Sequence, residues 1–166
     1  MRQRLATICL TTVLLIGGGS PSALAHGTDN ATPTLKGISA VSVRVGHLSE
    51  GAGALGLTKE MIQTDVELKL RLAGMRVVTQ EEDSELPGRP FLHLRVHVAD
   101  SAKAAHIEVA LTQNAQLERD GQRAFSVTTW RKGALIASPT LQTIRDEIKD
   151  KIDVFLNAWL SVNPKK

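Results

Sequence analysis

Three successive stretches, FLHLRVHV (91–98), HIEVALTQNAQL (106–117) and FSVTTW (125–130), place apolar side chains at alternate positions. Period-two alternation is the mark of a strand buried on one face and solvated on the other. No helical period interrupts the three, so they predict an antiparallel meander whose leucine- and valine-bearing face must be covered. This constrains the fold more than any other feature of the chain.

What precedes the meander supplies one cover. LKGISAVSVRV (35–45) alternates at Val41, Val43 and Val45, a further strand. LTKEMIQTDVELKLRLA (57–73) also contains an alternating run, but its length and its helix formers predict a helix. Thr58 suits its cap and Gly74 its left-handed end. Ile62, Val66, Leu70 and Ala73 share one stripe of that helix, and Leu57, Met61, Leu68 and Leu72 form a second beside it. The wide apolar arc predicts deep burial. MRVVT (75–79) is a short β-branched strand, and QEEDSELPGRP (80–90) an acidic loop. After the meander, TLQTIRDEIKDKIDVFLNAWLSVN reads as a long helix. Its stripe runs through Ile144, Ile148, Ile152, Phe155, Trp159 and Val162, with Ser138-Pro139 at its start and Pro164 beyond its end. The order strand, helix, four strands, helix is α+β. The expected architecture is one mixed sheet of about five strands with both helices on one face.

The amino terminus bears on compartment. Arg2 and Arg4 precede ATICLTTVLLIGGG and then SPSALA, the three-part pattern of a secretory signal with an Ala23-Leu24-Ala25 cleavage site. The apolar run is shorter than the about 20 residues a bilayer span requires. Residues 1–25 are expected to be removed, residues 26–34 to form a flexible leader, and residues 35–163 to form one domain. Export to the periplasm or the medium follows as an expectation. Cleavage would take away Cys9, the only cysteine, leaving a chain held by its apolar core. It would also leave 18 basic against 17 acidic residues. That balance and the five aromatic residues argue against a nucleic-acid footprint. The sequon Asn30-Ala31-Thr32 matters only in a eukaryotic secretory route.

Candidate chemistry is sparse. GAGALG (51–56) has the spacing of a dinucleotide turn, but Gly56 precedes the Thr58 cap, whereas the third glycine of such a turn lies within the helix. The stretch reads better as a mobile connector. His93 and His97 are four residues apart, which on a strand is about 13 Å, too far for one metal ion. His97 and His106 can meet only if the hairpin register sets them opposite each other. His47 stands alone in a loop, and His26 would head the cleaved chain. Asp65 and Lys69 suit a rim ion pair or a contact with a neighbouring loop. Glu81, Glu82, Asp83 and Glu85 lack the ligand spacing of a calcium loop and read as a solvated turn. Nucleophile-elbow, zinc-helix and phosphate-loop motifs are absent from the sequence. No cofactor is implied.

The open face of the meander is left as the main candidate surface. It comprises His93, Arg95 and His97 on one strand, Glu108 and Thr112 on the next, and Ser126, Thr128 and Trp130 on the last, with Trp130 as an anchor for a partner. An enzyme alternative would assemble a site from His93, His97, His106 and Glu108.

LKLRLAGMRVVTQEE after a valine-rich strand gives helix, glycine, then a strand ending in acidic residues. Over residues 35–82 this resembles the small α/β modules of envelope proteins, among them the amino-terminal domain of the Tol–Pal translocation protein and the curli-secretion lipoprotein. The ending TIRDEIKDKIDVFLNAWLSVNPKK resembles the carboxy-terminal helix of small uncharacterised secreted bacterial proteins. These resemblances imply a bacterial exported protein and transfer no catalytic residue. The expected function is a non-enzymatic module that binds a protein or an envelope component.

Overall fold

In a computed structural model, residues 31–164 are described. The expected signal (1–25), His26 and Asn30 lie outside them. Strands β1 (Ala40–Val45), β2 (Arg76–Val78), β3 (Phe91–Val98), β4 (Ala104–Gln116) and β5 (Arg123–Ala137) form one sheet in the order β2-β1-β3-β4-β5. Strands β2 and β3 flank β1 in parallel, and β3, β4 and β5 form the antiparallel meander. Helices α2 (Lys59–Leu72) and α3 (Leu141–Val162) pack on one face, and a short helix α1 (Glu50–Ala54) sits at its end. The fold is α+β, as the strand order implied.

Register explains the core. Val43 pairs with Leu92, Leu92 with Leu111, and Leu111 with Trp130, so one row of apolar side chains crosses four strands. Leu94–Val109 and Val96–Ile107 make the next rows, and all of these residues are buried. Ile144, Ile148, Ile152, Phe155 and Trp159 of α3 close over them. Trp159 also donates its indole N–H to the Ile38 carbonyl at 2.8 Å, tying the end of α3 to the entry of β1. Thr140 and Thr143 form a reciprocal capping box at the start of α3, so the cap is Thr140 rather than the Ser138-Pro139 pair.

Thr58 caps α2 through the Met61 N–H, and Gly74 turns left-handed after it (φ +88°). Ile62, Val66 and Leu70 of the first apolar stripe are buried, while the second is split, with Leu57 buried and Met61 half-buried. Leu68 and Leu72 are exposed, because α2 lies over β1 and the three-residue β2, beyond which the sheet ends. Asp65 and Lys69 do not pair with each other. Asp65 receives a bidentate grip from Arg145 at 2.8 and 3.1 Å, and Lys69 meets Asp153 at 2.8 Å, so both join α2 to α3. The presumed leader is partly built in. Thr32–Leu35 forms a 3-10 turn with Leu35 fully buried.

Two bulges shape β5. Thr112 faces Thr128 while Leu111 faces Trp130, so Thr129 is an extra residue in β5. An extra residue inverts the parity of everything beyond it. Trp130 therefore points into the core, where it is 1% exposed and stacks edge-on against Phe155 at 5.3 Å. It is no surface anchor; Arg131 takes the open-face position instead. The strand also runs on through RKGALIA, well past residue 130.

GAGALG is not a mobile connector. Its first half forms α1, with Gly51 and Ala52 buried. A Cβ on Gly51 would stand 2.8 Å from the carbonyl oxygens of both Val98 and Ala99, whereas one on Gly53 would meet nothing. The Ser49 hydroxyl donates to the Val98 carbonyl and accepts the Val98 N–H, fixing α1 to the end of β3. Packed this way, Gly51→Ala is expected to cost about 1–3 kcal/mol by overpacking against rigid backbone. Gly53→Ala should be neutral or stabilising by up to about 1 kcal/mol through helix propensity. Urea unfolding midpoints of the two variants check this. Equal effects would restore the mobile connector.

Candidate functional site

The face of the sheet away from α2 and α3 is organised in rows by the same register. Ser42, Phe91, Thr112 and Thr128 form the first, and Arg44, His93, Ala110 and Arg131 the second. Arg95, Glu108 and Gly133 form the third, and His97, His106 and Leu135 the fourth. His97 and His106 are thus direct cross-strand partners, as required for them to meet at all.

Arg95, Glu108, His97 and His106 of the last two rows line an open groove of about 530 Å³ together with His93, His47 and Ser49. All four histidines among the described residues therefore gather in one place, including His47, which looked isolated in the sequence. Arg95 Nη2 lies 2.9 Å from Glu108 Oε1. The angle of that charge contact leaves Oε1 buried without a hydrogen bond. Among the described residues no three histidine, cysteine, aspartate or glutamate side chains stand close enough to hold a metal ion. Of the surface proposed from sequence, His93, Arg95, His97 and Glu108 come together. Thr128 lies two rows away from the groove, and Trp130 lies in the core.

Burial holds the His93 imidazole below its ordinary pKa. The Arg95 charge adds to this, Glu108 opposes it, and Arg44 contributes a little more in the same direction.

A second constellation escaped the sequence reading. Asp83 sits in a 3-10 turn (Glu82–Glu85) and is fully buried, not part of a solvated loop. It accepts hydrogen bonds from the Ser42 hydroxyl at 2.7 Å, from the Arg44 guanidinium, and from Arg89 at 3.3 Å. Burial alone would raise its pKa. The hydrogen bonds from Ser42 and Arg44, the Arg44 charge and the Arg89 contact outweigh it and hold the carboxyl below the ordinary range. Arg44 in turn stacks on Phe91, its guanidinium carbon 3.8 Å from the ring centre. The β2–β3 connection is thereby clamped onto the open face of β1. The alternation of Ser42 and Arg44 with Val41, Val43 and Val45 placed both on this face. Nothing local distinguished Asp83 from its three acidic neighbours.

At GAGALG four of the six backbone N–H groups bond locally to the chain just before them. Those of Ala52 and Gly53 reach Ser49, Leu55 and Leu57 reach Ala52, and Gly56 reaches Gly53. A phosphate cradle needs such donors aimed outward into one concavity, so the dinucleotide reading has no structural footing.

No protein-family model and no characterised protein matches the chain. No helix among the described residues is long and apolar enough to cross a membrane.

Two stability predictions follow from these groups. Because His93 is held below its ordinary pKa, the unfolded chain takes up the proton first as pH falls. Stability is then present above about pH 6.5 and is lost as pH drops from there towards the folded value. The thermal midpoint should be lower at about pH 5.5 than at about pH 7.5, and His93→Asn should shrink the difference. An unchanged difference would show that other groups govern it. Removing the buried carboxylate with Asp83→Ala should cost about 2–4 kcal/mol, against about 1 kcal/mol for Ser42→Ala, read from denaturant unfolding. Similar small values for both would mean that the clamp contributes little.

Proposed function

We propose that the chain is an exported, non-enzymatic module that binds a protein or a cell-envelope component through the open face of its sheet. The observation that carries this reading is the gathering of His47, His93, His97 and His106 with Arg95 and Glu108 around one groove, on the face the helices leave uncovered. Direct cross-strand pairs fix the register of β3 and β4, so His93, Arg95, His97, His106 and Glu108 are presented by rigid strands, with His47 added from the loop after β1. Export rests on the amino-terminal pattern and on the resemblance of residues 35–82 to envelope modules.

The alternative, a hydrolase using His93, His97, His106 and Glu108, requires these groups to converge. They spread over three rows of two strands, and no metal-holding trio forms among the described residues. The binding reading is therefore preferred.

The test is affinity capture from the native envelope extract, using the chain without residues 1–25. A discrete partner should be retained by the wild type and lost with His93→Ala, His97→Ala and His106→Ala combined. It should survive Leu68→Ala with Leu72→Ala, which alters the exposed side of α2. Retention by the triple-histidine variant, or capture of no partner at all, would overturn the reading.

A further inference from the structure

At the other end of the open face, Arg44, Arg89, Phe91, Asn114, Phe125 and Ser126 enclose a small recess of about 130 Å³. Past Arg89 and Asn114 it adjoins a larger hollow of about 570 Å³, whose wall includes Arg123 and Gln116. We propose that this cleft binds one oxyanion, a carboxylate or a phosphate group, carried by a small molecule with an apolar portion. The inference is independent of the histidine groove and of any partner bound there.

Charge is the first argument. Asp83 is a single carboxylate, and it holds Arg44 on one oxygen and Arg89 on the other. Two guanidiniums thus share one carboxylate, and Arg123 adds a further positive charge in the wall of the larger hollow. No aspartate or glutamate side chain lines either hollow. An anionic group would meet this positive charge. Guanidinium forks match carboxylate and phosphate oxygens in geometry as well as in sign.

Preorganisation is the second. Asp83 on one side and the Phe91 ring on the other fix the Arg44 side chain. Its Nε is nevertheless buried and without a hydrogen-bond partner. Arg89 makes the longer contact with Asp83 and is half exposed, so it can turn towards a ligand. Arg89 and Ser126 also both take left-handed backbone conformations (φ 49° and 53°), which non-glycine residues adopt rarely. Both lie in the wall of the same recess, and such conformations concentrate at ligand clamps. The bulge that turns Ser126 this way is held by the Asn114 side-chain carbonyl, which accepts the Ser126 N–H at 3.2 Å.

The third argument concerns the rest of the ligand. Phe125 is 70% exposed at the rim, an apolar platform beside a cationic recess. The combined hollows have the dimensions of small-molecule sites and not of an interface with a macromolecule.

The test is titration of the chain at low ionic strength with inorganic phosphate and, separately, with benzoate and acetate. It is followed by calorimetry and by the arginine Nε–H signals in nitrogen–proton spectra. Saturable binding with movement of the Arg44 Nε–H and Ser126 amide signals is expected. Phosphate binding alone would assign the anion as phosphate. Benzoate binding more tightly than acetate would assign a carboxylate with an apolar body, and Phe125→Ala should abolish that preference. Arg89→Gln should weaken binding at least about tenfold. Arg123→Gln, which does not touch Asp83 and so leaves the fold intact, should weaken it about two- to fivefold. Arg76→Gln on the far edge strand should leave it unchanged. Non-saturating shifts spread over all arginines, or wild-type affinity in both Arg89→Gln and Arg123→Gln, would overturn the proposal.

Discussion

The structure depends on a single constraint: the sheet is covered on one face only. With no disulfide among the described residues, the chain is held by burying Val41, Val43, Leu92, Leu94, Val96, Ile107, Val109 and Leu111 beneath α2 and α3. Each such side chain contributes about 1.5–3 kcal/mol when fully removed from water. A one-residue slip of β4 against β3 would turn Ile107, Val109 and Leu111 to solvent, so the register is fixed by the core. The open face inherits this precision without stabilising it. His97 stands opposite His106 and Arg95 opposite Glu108 because Val96 must stand opposite Ile107.

Asp83 plays a comparable part for the connection that no helix covers. A buried carboxylate costs free energy unless its lone pairs are filled and its charge is met. Here a hydroxyl and two guanidiniums do both. The result is a continuous line of contacts across the face, from Asp83 to Arg44, to Phe91 by stacking, and on to His93, whose ring centre is 6.4 Å from that of Phe91. Arg44 is also the direct cross-strand neighbour of His93, and its charge adds a little to the lowering of the His93 pKa.

Period-two alternation found β1, β3 and β4 with their covered face, β-branched composition found β2, and length, helix formers and apolar stripes found both long helices. Alternation located β5 but not its covered face, since Phe125 is exposed and Trp130 buried. Where the sequence misled, a residue's environment was set by something non-local. Trp130 follows Ser126 and Thr128 in perfect alternation, and only the pairing of β5 with β4 reveals Thr129 as the extra residue that turns the indole inward. Leu68 and Leu72 look like core because a helix shows its own periodicity and not the width of the sheet beneath it. Asp83 shares its composition with Glu81, Glu82 and Glu85, and becomes special only through Ser42 and Arg44, about 40 residues earlier. GAGALG was read as a mobile connector, but what Gly51 supplies is the absence of a side chain where α1 meets the end of β3.

The fifteen-residue β5 raises a different physical problem. It is an edge strand, and a long, flat edge invites pairing with other chains. Its two irregularities bend it, and Arg123, Arg131 and Lys132 place charge along it. These are recognised ways of blunting an edge. The same bulges also do something else. One buries Trp130 and brings Arg131 to the open face; the other sets Ser126 in its left-handed conformation beside Arg89 and Asn114. The devices that keep the edge unpaired thus build one wall of the cationic cleft, so edge protection and cleft geometry cannot vary independently in this fold.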